Sequence, residues 1–299
     1  MSPMQTAQPQ LHHTDANGVS LACFEWHAEL RGQAPTLLMV HATGFHGRVW
    51  DRTIAQLPPR HVLALELRGH GRSGRRDFDG WEDFGRDVAA FGAAHDLQGA
   101  VGIGHSMGAH ALVQAAAFQP GRFSRLVLVD PTIMAPDFYQ VPRPEPAASH
   151  PAAQRKNHFE SAQAMFDRFA DRVPYRVFDR QALRDYCDHG LRPAPAGVGF
   201  ELACAPATEA AVYVRSRSNL GVHASVRALR IPVLVVRARP MQPGILPFDT
   251  LGSPTWPLLA AQFHDGRDLH LTHRTHMLPM EDPALMAQII QDALTEPAH

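Results

Sequence analysis

Ala100-Val101-Gly102-Ile103-Gly104-His105-Ser106-Met107-Gly108, running on into the alanine-rich stretch Ala109 to Phe118, is the part of the chain whose reading decides the fold. A short apolar run ends at Ile103, a G-x-S-x-G pattern follows, and then a helical segment. That order predicts a strand, a sharp turn and a helix, with the Ser106 hydroxyl lifted clear of a sheet. Gly104 and Gly108 flank it where a side chain would crowd the approach of strand and helix. At the start of the helix the N–H of Met107 has no intrahelical partner, so it is free to stabilise an oxyanion.

Outward from this stretch, the pattern repeats. Thr36 to His41, His61 to Leu65 and Arg125 to Val129 are continuous apolar runs, as expected of strands buried on both faces. Helical segments lie between them, at Arg48 to Leu57 and Trp81 to His95. Upstream, Asp15-Ala16-Asn17-Gly18 is a turn signal leading into an extended, antiparallel segment, Val19 to Trp26. The fold expected is α/β, a doubly wound and mostly parallel sheet with helices on both faces.

After Asp130 the alternation breaks. Residues 131–147 are Pro-rich, 152–192 read as helical with many aromatics, and Glu209 to Arg217 reads as a further helix. No buried-strand run occurs there. The expected division is a core of 1–130 and 229–299 with a helical lid over 131–228, its aromatics lining a channel for an apolar or aromatic acyl substrate. The sheet resumes at Ile231 to Val236. A long Pro- and Gly-rich loop follows over Arg237 to Ser253, then a helix at Pro254 to Phe263, a last strand at Asp268 to Leu271, and a closing helix at Pro283 to Leu294.

Composition narrows the classes. The 299 residues fit one large α/β domain with an insertion. Twenty-eight basic side chains balance 29 acidic ones, which excludes a nucleic-acid footprint. Cys23, Cys187 and Cys204 are spaced as neither a zinc site nor a redox pair. The 19 histidines are scattered, without H-E-x-x-H; His270, His273 and His276, three apart, fall across a strand end and loop. No metal or cofactor is expected. Met1 to Gln10 carries no secretory pattern, and no apolar stretch approaches membrane-spanning length, so a cytoplasmic protein without a membrane span is the expectation.

A serine hydroxyl needs a base within hydrogen-bond reach, and the base needs an orienting carboxylate. Ligands gather at the carboxyl ends of strands in an open sheet. Ser106, Asp130, the loop containing Asp249, and His276 all follow strand ends, in the order Ser, Asp, His. His276 is the base candidate, with His273 and His270 as rivals. Asp130 and Asp249 are equal candidates for the acid on spacing alone. Thr43, or its neighbour Gly44, would supply the second oxyanion donor beside Met107, while His41 would brace that loop. The loop Arg68-Gly69-His70-Gly71-Arg72-Ser73 would pack rigidly beside it.

These blocks, with Val40 to Phe45 and the Glu281-Asp282-Pro283 that follows His276, make the chain resemble the α/β-hydrolase fold superfamily, in its lidded, esterase-like serine hydrolase branch. The resemblance runs from about Gly18 to Leu294. It implies Ser106 as nucleophile, His276 as base, and Thr43 and Met107 as oxyanion donors. The family's usual acid comes soon after the strand matching Pro232 to Val236. Arg239-Pro240-Met241 stands there, and Asp249 is the first carboxylate downstream in an enlarged loop. That favours Asp249, although some relatives place the acid where Asp130 stands. A serine at the elbow argues against the Asp-dependent dehalogenases and epoxide hydrolases of this fold. Hydrolysis of an ester, lactone or thioester through an acyl-enzyme is the reading. The alternatives are a cofactor-free carbon–carbon bond hydrolase or haloperoxidase-like enzyme, and a non-catalytic binder. An imidazole base must be neutral, so activity should fall on the acid side of about pH 6.5.

Overall fold

The computed structural model describes residues 8–139, 146–195, 197–244 and 249–295. Part of the Met1 to Gln10 stretch, of the Pro-rich segment and of the long loop before Ser253 therefore lies outside the described residues. Asn17 and Gly18 both adopt positive φ, 49° and 73°, and turn β1 (Gln10–Ala16) back on β2 (Val19–Trp26). Two left-handed residues in succession suit the twist of a two-residue hairpin.

From there the chain alternates. It runs through β3 (Leu37–Val40), α1 (Asp51–Ile54), β4 (Val62–Leu65), α2 (Glu82–Ala94), β5 (Ala100–His105), α3 (Met107–Phe118) and β6 (Phe123–Val129). The insertion then contributes β7 (His158–Phe159), α4 (Ala162–Phe169), α5 (Arg180–His189), β8 (Leu191–Pro193), β9 (Phe200–Leu202), α6 (Pro206–Val214) and α7 (Val222–Ala228). The sheet resumes with β10 (Val233–Arg237) and β11 (Gly266–His270), and α8 (Leu278–Glu281) and α9 (Pro283–Thr295) close the chain.

Eight strands form one sheet in the order β1-β2-β4-β3-β5-β6-β10-β11. The β1–β2 and β2–β4 pairs are antiparallel and the others parallel. Successive side chains go to opposite faces. Leu37 and Met39 join Val101, Ile103, Val127 and Val129 under α9, while Leu38 and Val40 join Leu63, Leu65, Leu126 and Leu128 under α2 and α3. Both faces are covered, which is why these strands read as unbroken apolar runs. The strand order reverses between β3 and β5, because β4 lies on one side of β3 and β5 on the other. A crevice opens at such a switch point, outside the carboxyl ends of the strands. Thr43 and Ser106 stand on its two sides.

The insertion is helical, as expected, and also carries three short strands that the sequence did not suggest. β7, β9 and β8 form a three-stranded antiparallel sheet. Strands of two or three residues carry no readable alternation, so helical flanks dominate the sequence pattern. The last insertion helix, α7, packs against α3 of the core. The helix expected at Pro254 to Phe263 is reduced to one 3-10 turn, Ala260–Gln262. Pro257 removes a donor the helix would need, and the backbone N–H of Trp256 is held by the Ile133 carbonyl at 3.0 Å. No helix among the described residues is long and apolar enough to cross a membrane.

Candidate active site

Ser106 sits at φ 54°, ψ −113°, between the last residue of β5 and the first of α3. A non-glycine residue there is strained by about 1–3 kcal/mol, a conformation that persists only when its surroundings enforce it. They do. A Cβ on Gly104 would lie 2.6 Å from the Ala109 backbone, and one on Gly108 would lie 2.4 Å from the Val40 carbonyl. Two glycines thus let α3 press against β3 and β5 and force the bend at Ser106.

His276 follows β11 and bridges two partners. Its Nε2 lies 3.2 Å from Ser106 Oγ, and its Nδ1 lies 2.6 Å from Asp130 Oδ2. The imidazole is fixed from the backbone as well. Its N–H donates to the Leu251 carbonyl at 2.9 Å, and its carbonyl accepts from His105 Nε2 at 2.7 Å. Burial, with His276 alongside, pulls His105 down to about 3, so His105 stays neutral and serves as a donor.

Asp130 is buried and held at its other oxygen. Oδ1 accepts from the Ala238 N–H at 3.0 Å, Ser253 Oγ at 2.5 Å and Thr255 Oγ1 at 3.3 Å. Burial raises its proton affinity, but the hydrogen bonds from His276, Ser253 and Ala238 outweigh that and leave Asp130 below the ordinary carboxylate range. A carboxylate accepting several donors stays ionised. Asp249, favoured from the sequence, sits elsewhere. Its oxygens take Arg239 Nη1 at 2.6 Å and Nη2 at 3.1 Å, with the Gln242 and Leu251 N–H groups at 3.0 and 3.1 Å. It clips the long loop onto itself, and the imidazole faces Asp130 instead. The physical reason lies in β10. Asp130 directly follows the neighbouring strand β6, and its own N–H donates to the Val236 carbonyl at 2.7 Å, so the sheet delivers it directly to the rim.

Thr43 and Met107 are both buried, and Thr43 Oγ1 lies 3.5 Å from Met107 Sδ. The structure therefore brings the two expected oxyanion donors onto facing turns. His41 braces this loop, as its position suggested. Nδ1 donates to the Ala42 carbonyl at 2.7 Å, and Nε2 accepts from the Leu67 N–H at 3.1 Å. The Arg68–Ser73 loop packs against it. Arg68 makes a buried two-point pair with Asp87, at 2.5 and 2.6 Å, and Glu66 takes the Gly47 N–H at 3.1 Å. Of the three histidines His270, His273 and His276, it is His276 that meets Ser106 and Asp130. Among the described residues no three His, Cys, Asp or Glu side chains are grouped to hold a metal.

Sequence reading missed Ser253, Thr255 and Thr132. The first two carry Asp130. Thr132 Oγ1 lies 3.0 Å from Ser106 Oγ. Only their place just after strand ends or loops could have flagged them, and hydroxyls there are common. Above the oxyanion loop, Tyr186 of α5 packs on Phe45 and stacks on His46, with centroids 5.2 and 5.6 Å apart. A recess of about 220 Å³, open solvent included, is lined by Gly44, Phe45, His46, Arg155, Tyr186 and Cys204, among others. Arg155 is ion-paired with Glu209 and donates to Tyr175 Oη at 2.6 Å. The rings of Phe45 and Tyr186 thus stand beside a charged group at Arg155.

The model of the alpha/beta hydrolase family matches residues 37–289, and the chain belongs to that family. The chain is 35% identical over 103 residues to the lipase LipV of Mycobacterium tuberculosis, covering 32% of this chain and 37% of the lipase. It thus spans little more than a third of that relative's length. It is 28% identical over 214 residues to the 2-(acetamidomethylene)succinate hydrolase of Mesorhizobium japonicum, covering 69% of this chain and 71% of that protein. A crystal structure of E-2-(acetamidomethylene)succinate hydrolase shares the fold with a TM-score of 0.74 at 20% identity, over 96% of this chain and 100% of that one.

Proposed function

We propose that the protein is a serine hydrolase that cleaves a carboxylic ester, lactone or thioester through an acyl-enzyme on Ser106. The observation that carries this reading is the placement of His276 between Ser106 Oγ at 3.2 Å and Asp130 Oδ2 at 2.6 Å. Ser106 attacks the carbonyl carbon while His276 Nε2 takes its proton. Asp130 keeps the proton on Nδ1 and stabilises the imidazolium. The backbone N–H groups of Met107 and Thr43 receive the charge that grows on the carbonyl oxygen. His276 then returns its proton to the leaving oxygen or sulfur, and activates the water that releases the acid.

The similarity to a lipase and to a succinate-derivative hydrolase supports hydrolysis as the reaction class. The insertion acts as a lid over 131–228, with α7 seated on the core. The recess offers an aromatic wall at Phe45 and Tyr186 and a charged group at Arg155.

A panel of p-nitrophenyl esters of increasing acyl length, with several lactones, tests the reading. Turnover of at least one of these substrates is the expected result. Ser106→Ala should abolish it, together with labelling by a fluorophosphonate. Ser73→Ala should keep it, because Ser73 Oγ is tied to the Glu66 carbonyl at 2.5 Å and the Ala22 N–H at 2.8 Å. Turnover or labelling that survives in Ser106→Ala refutes the assignment.

A further inference from the structure

Ser106 Oγ has two polar neighbours, His276 Nε2 at 3.2 Å and Thr132 Oγ1 at 3.0 Å. The protons among them follow from the proposed role of His276 as base. An ionised Asp130 only accepts, so Nδ1 of His276 carries the proton of their 2.6 Å bond. A neutral ring then leaves Nε2 bare, and Nε2 accepts from the Ser106 hydroxyl. Ser106 has no second proton to give, so Thr132 is the donor in the remaining bond. We infer that Thr132 is a further catalytic residue, a side-chain donor that holds the Ser106 oxygen in place and stabilises the negative charge it gains as its proton leaves for His276. This rests on Ser106 being the nucleophile.

Thr132 is itself held by a line of groups separate from the His276–Asp130 pair. Its N–H donates to the Ser106 carbonyl at 3.3 Å. Its carbonyl accepts from His110 Nδ1 at 3.1 Å. The other ring nitrogen, Nε2, accepts from the Asn219 amide at 3.1 Å. His110 lies one turn along α3 from Ser106, its N–H on the Ser106 carbonyl at 3.2 Å, and Trp81 packs edge-on against it with centroids 5.0 Å apart. Burial pulls His110 down to about 4. A neutral ring donates at one nitrogen and accepts at the other, as these two bonds require. Asn219 belongs to the loop before α7, so the insertion contributes the far end of the line.

In acylation, Ser106 Oγ bonds to the carbonyl carbon, its proton passes to His276 Nε2, and the C=O π pair moves onto the carbonyl oxygen. Collapse restores the C=O and breaks the bond to the leaving oxygen, which takes the proton from Nε2. The Thr132 proton stays on Thr132 throughout. What changes is the strength of its bond to Oγ, which is greatest where proton loss runs ahead of C–O bond formation and again as the C–Oγ bond of the acyl-enzyme breaks. An interaction stronger in the transition state than in the ground state acts on kcat rather than on KM.

Thr132→Val keeps the shape and loses the hydroxyl, Thr132→Ser keeps the hydroxyl and loses a methyl, and Thr132→Ala loses both. For each, kcat and KM for p-nitrophenyl acetate, the second-order rate constant for inactivation by a fluorophosphonate, and thermal unfolding would be measured. The expected result is a fall of about ten- to a hundredfold in kcat and in the inactivation constant for Val and Ala, the scale of a lost hydrogen bond to a charged group. KM should change little, and Thr132→Ser should stay close to the parent. Reaction of folded Thr132→Val or Thr132→Ala at the parent rate overturns the inference, as does a fall in Thr132→Ser as deep as in Thr132→Val, and either outcome leaves Ser106 as nucleophile. Labelling that persists in Ser106→Ala overturns instead the reading on which the inference rests.

Discussion

At the rim of the sheet, each functional side chain hangs from or near the end of a strand that is itself locked in a two-sided core. In the insertion above it, the side chains that face the rim come from α5, α6 and the segment around Arg155, joined by strands of two or three residues. The rim holds its groups through backbone bonds: Asp130 to Val236, His276 to Leu251, and Ser106 N–H to the Val129 carbonyl at 2.9 Å. The insertion holds its groups through side chains, with stacked aromatics and ion pairs such as Arg155–Glu209 and Arg52–Asp185. Backbone anchoring fixes position finely, as proton transfer demands. Side-chain packing can be rebuilt to suit a substrate without disturbing the rim. On the proposed function, the chemistry falls to the first region and the selectivity to the second.

The largest expected effect tests the rim. His276→Ala should lower kcat for p-nitrophenyl acetate by about 10⁴- to 10⁶-fold, as loss of a base acting with its nucleophile does elsewhere. A drop of less than about tenfold would mean that proton transfer does not run through this ring.

The rim should also be the acid-sensitive part. His70, His105 and His110 are buried and neutral, pulled down by burial to about 4, 3 and 4. Imidazoles in the unfolded chain take up a proton near about pH 6.5. Between those limits the unfolded state binds more protons, so stability falls as pH drops through about 6.5 towards 4. At about pH 5 each of the three contributes a loss of about 2 kcal/mol relative to neutral pH. Denaturant midpoints measured from about pH 7 to 4.5 should decline steeply. A midpoint flat down to that limit would show that these rings are already charged in the folded protein.

Two smaller effects probe the insertion. Tyr186→Ala removes the ring packed among Phe45, His46, Tyr175 and Phe178 and should cost about 3–5 kcal/mol in unfolding free energy. It should raise KM more than it lowers kcat. A collapse of kcat to the level of His276→Ala would erase the division between chemistry and selectivity. Arg52→Ala cuts the ion pair between α1 and α5, Arg52 Nε to Asp185 Oδ2 at 2.5 Å. Asp185 is buried and would lose both bonds from Arg52, at 2.5 and 2.8 Å, so the cost should be about 1–3 kcal/mol.

The same contrast explains what the sequence disclosed. Buried strands announce themselves as apolar runs, and the bend at Ser106 is written in Gly104 and Gly108, so the sheet and the Ser106 position were legible. His276 was legible because it stands a few residues past the last strand. The carboxylate was not. Two aspartates follow neighbouring strand ends, and which one meets the ring depends on how the enlarged loop folds. That loop turns Asp249 onto Arg239 and presents Ser253 and Thr255 to Asp130, an outcome set by tertiary pairing and invisible to spacing. The small sheet of the insertion was hidden by the shortness of its strands. Thr132 was hidden because a threonine after Asp130-Pro131 carries no pattern of its own.

The most direct measurement is the ratio of kcat for p-nitrophenyl acetate in Asp130→Asn and Asp249→Asn. Asp130→Asn should lose about 10⁴-fold, through misplacement of the ring proton, while Asp249→Asn stays within about tenfold of the parent. The reverse order would contradict the geometry on which the whole assignment of the rim stands.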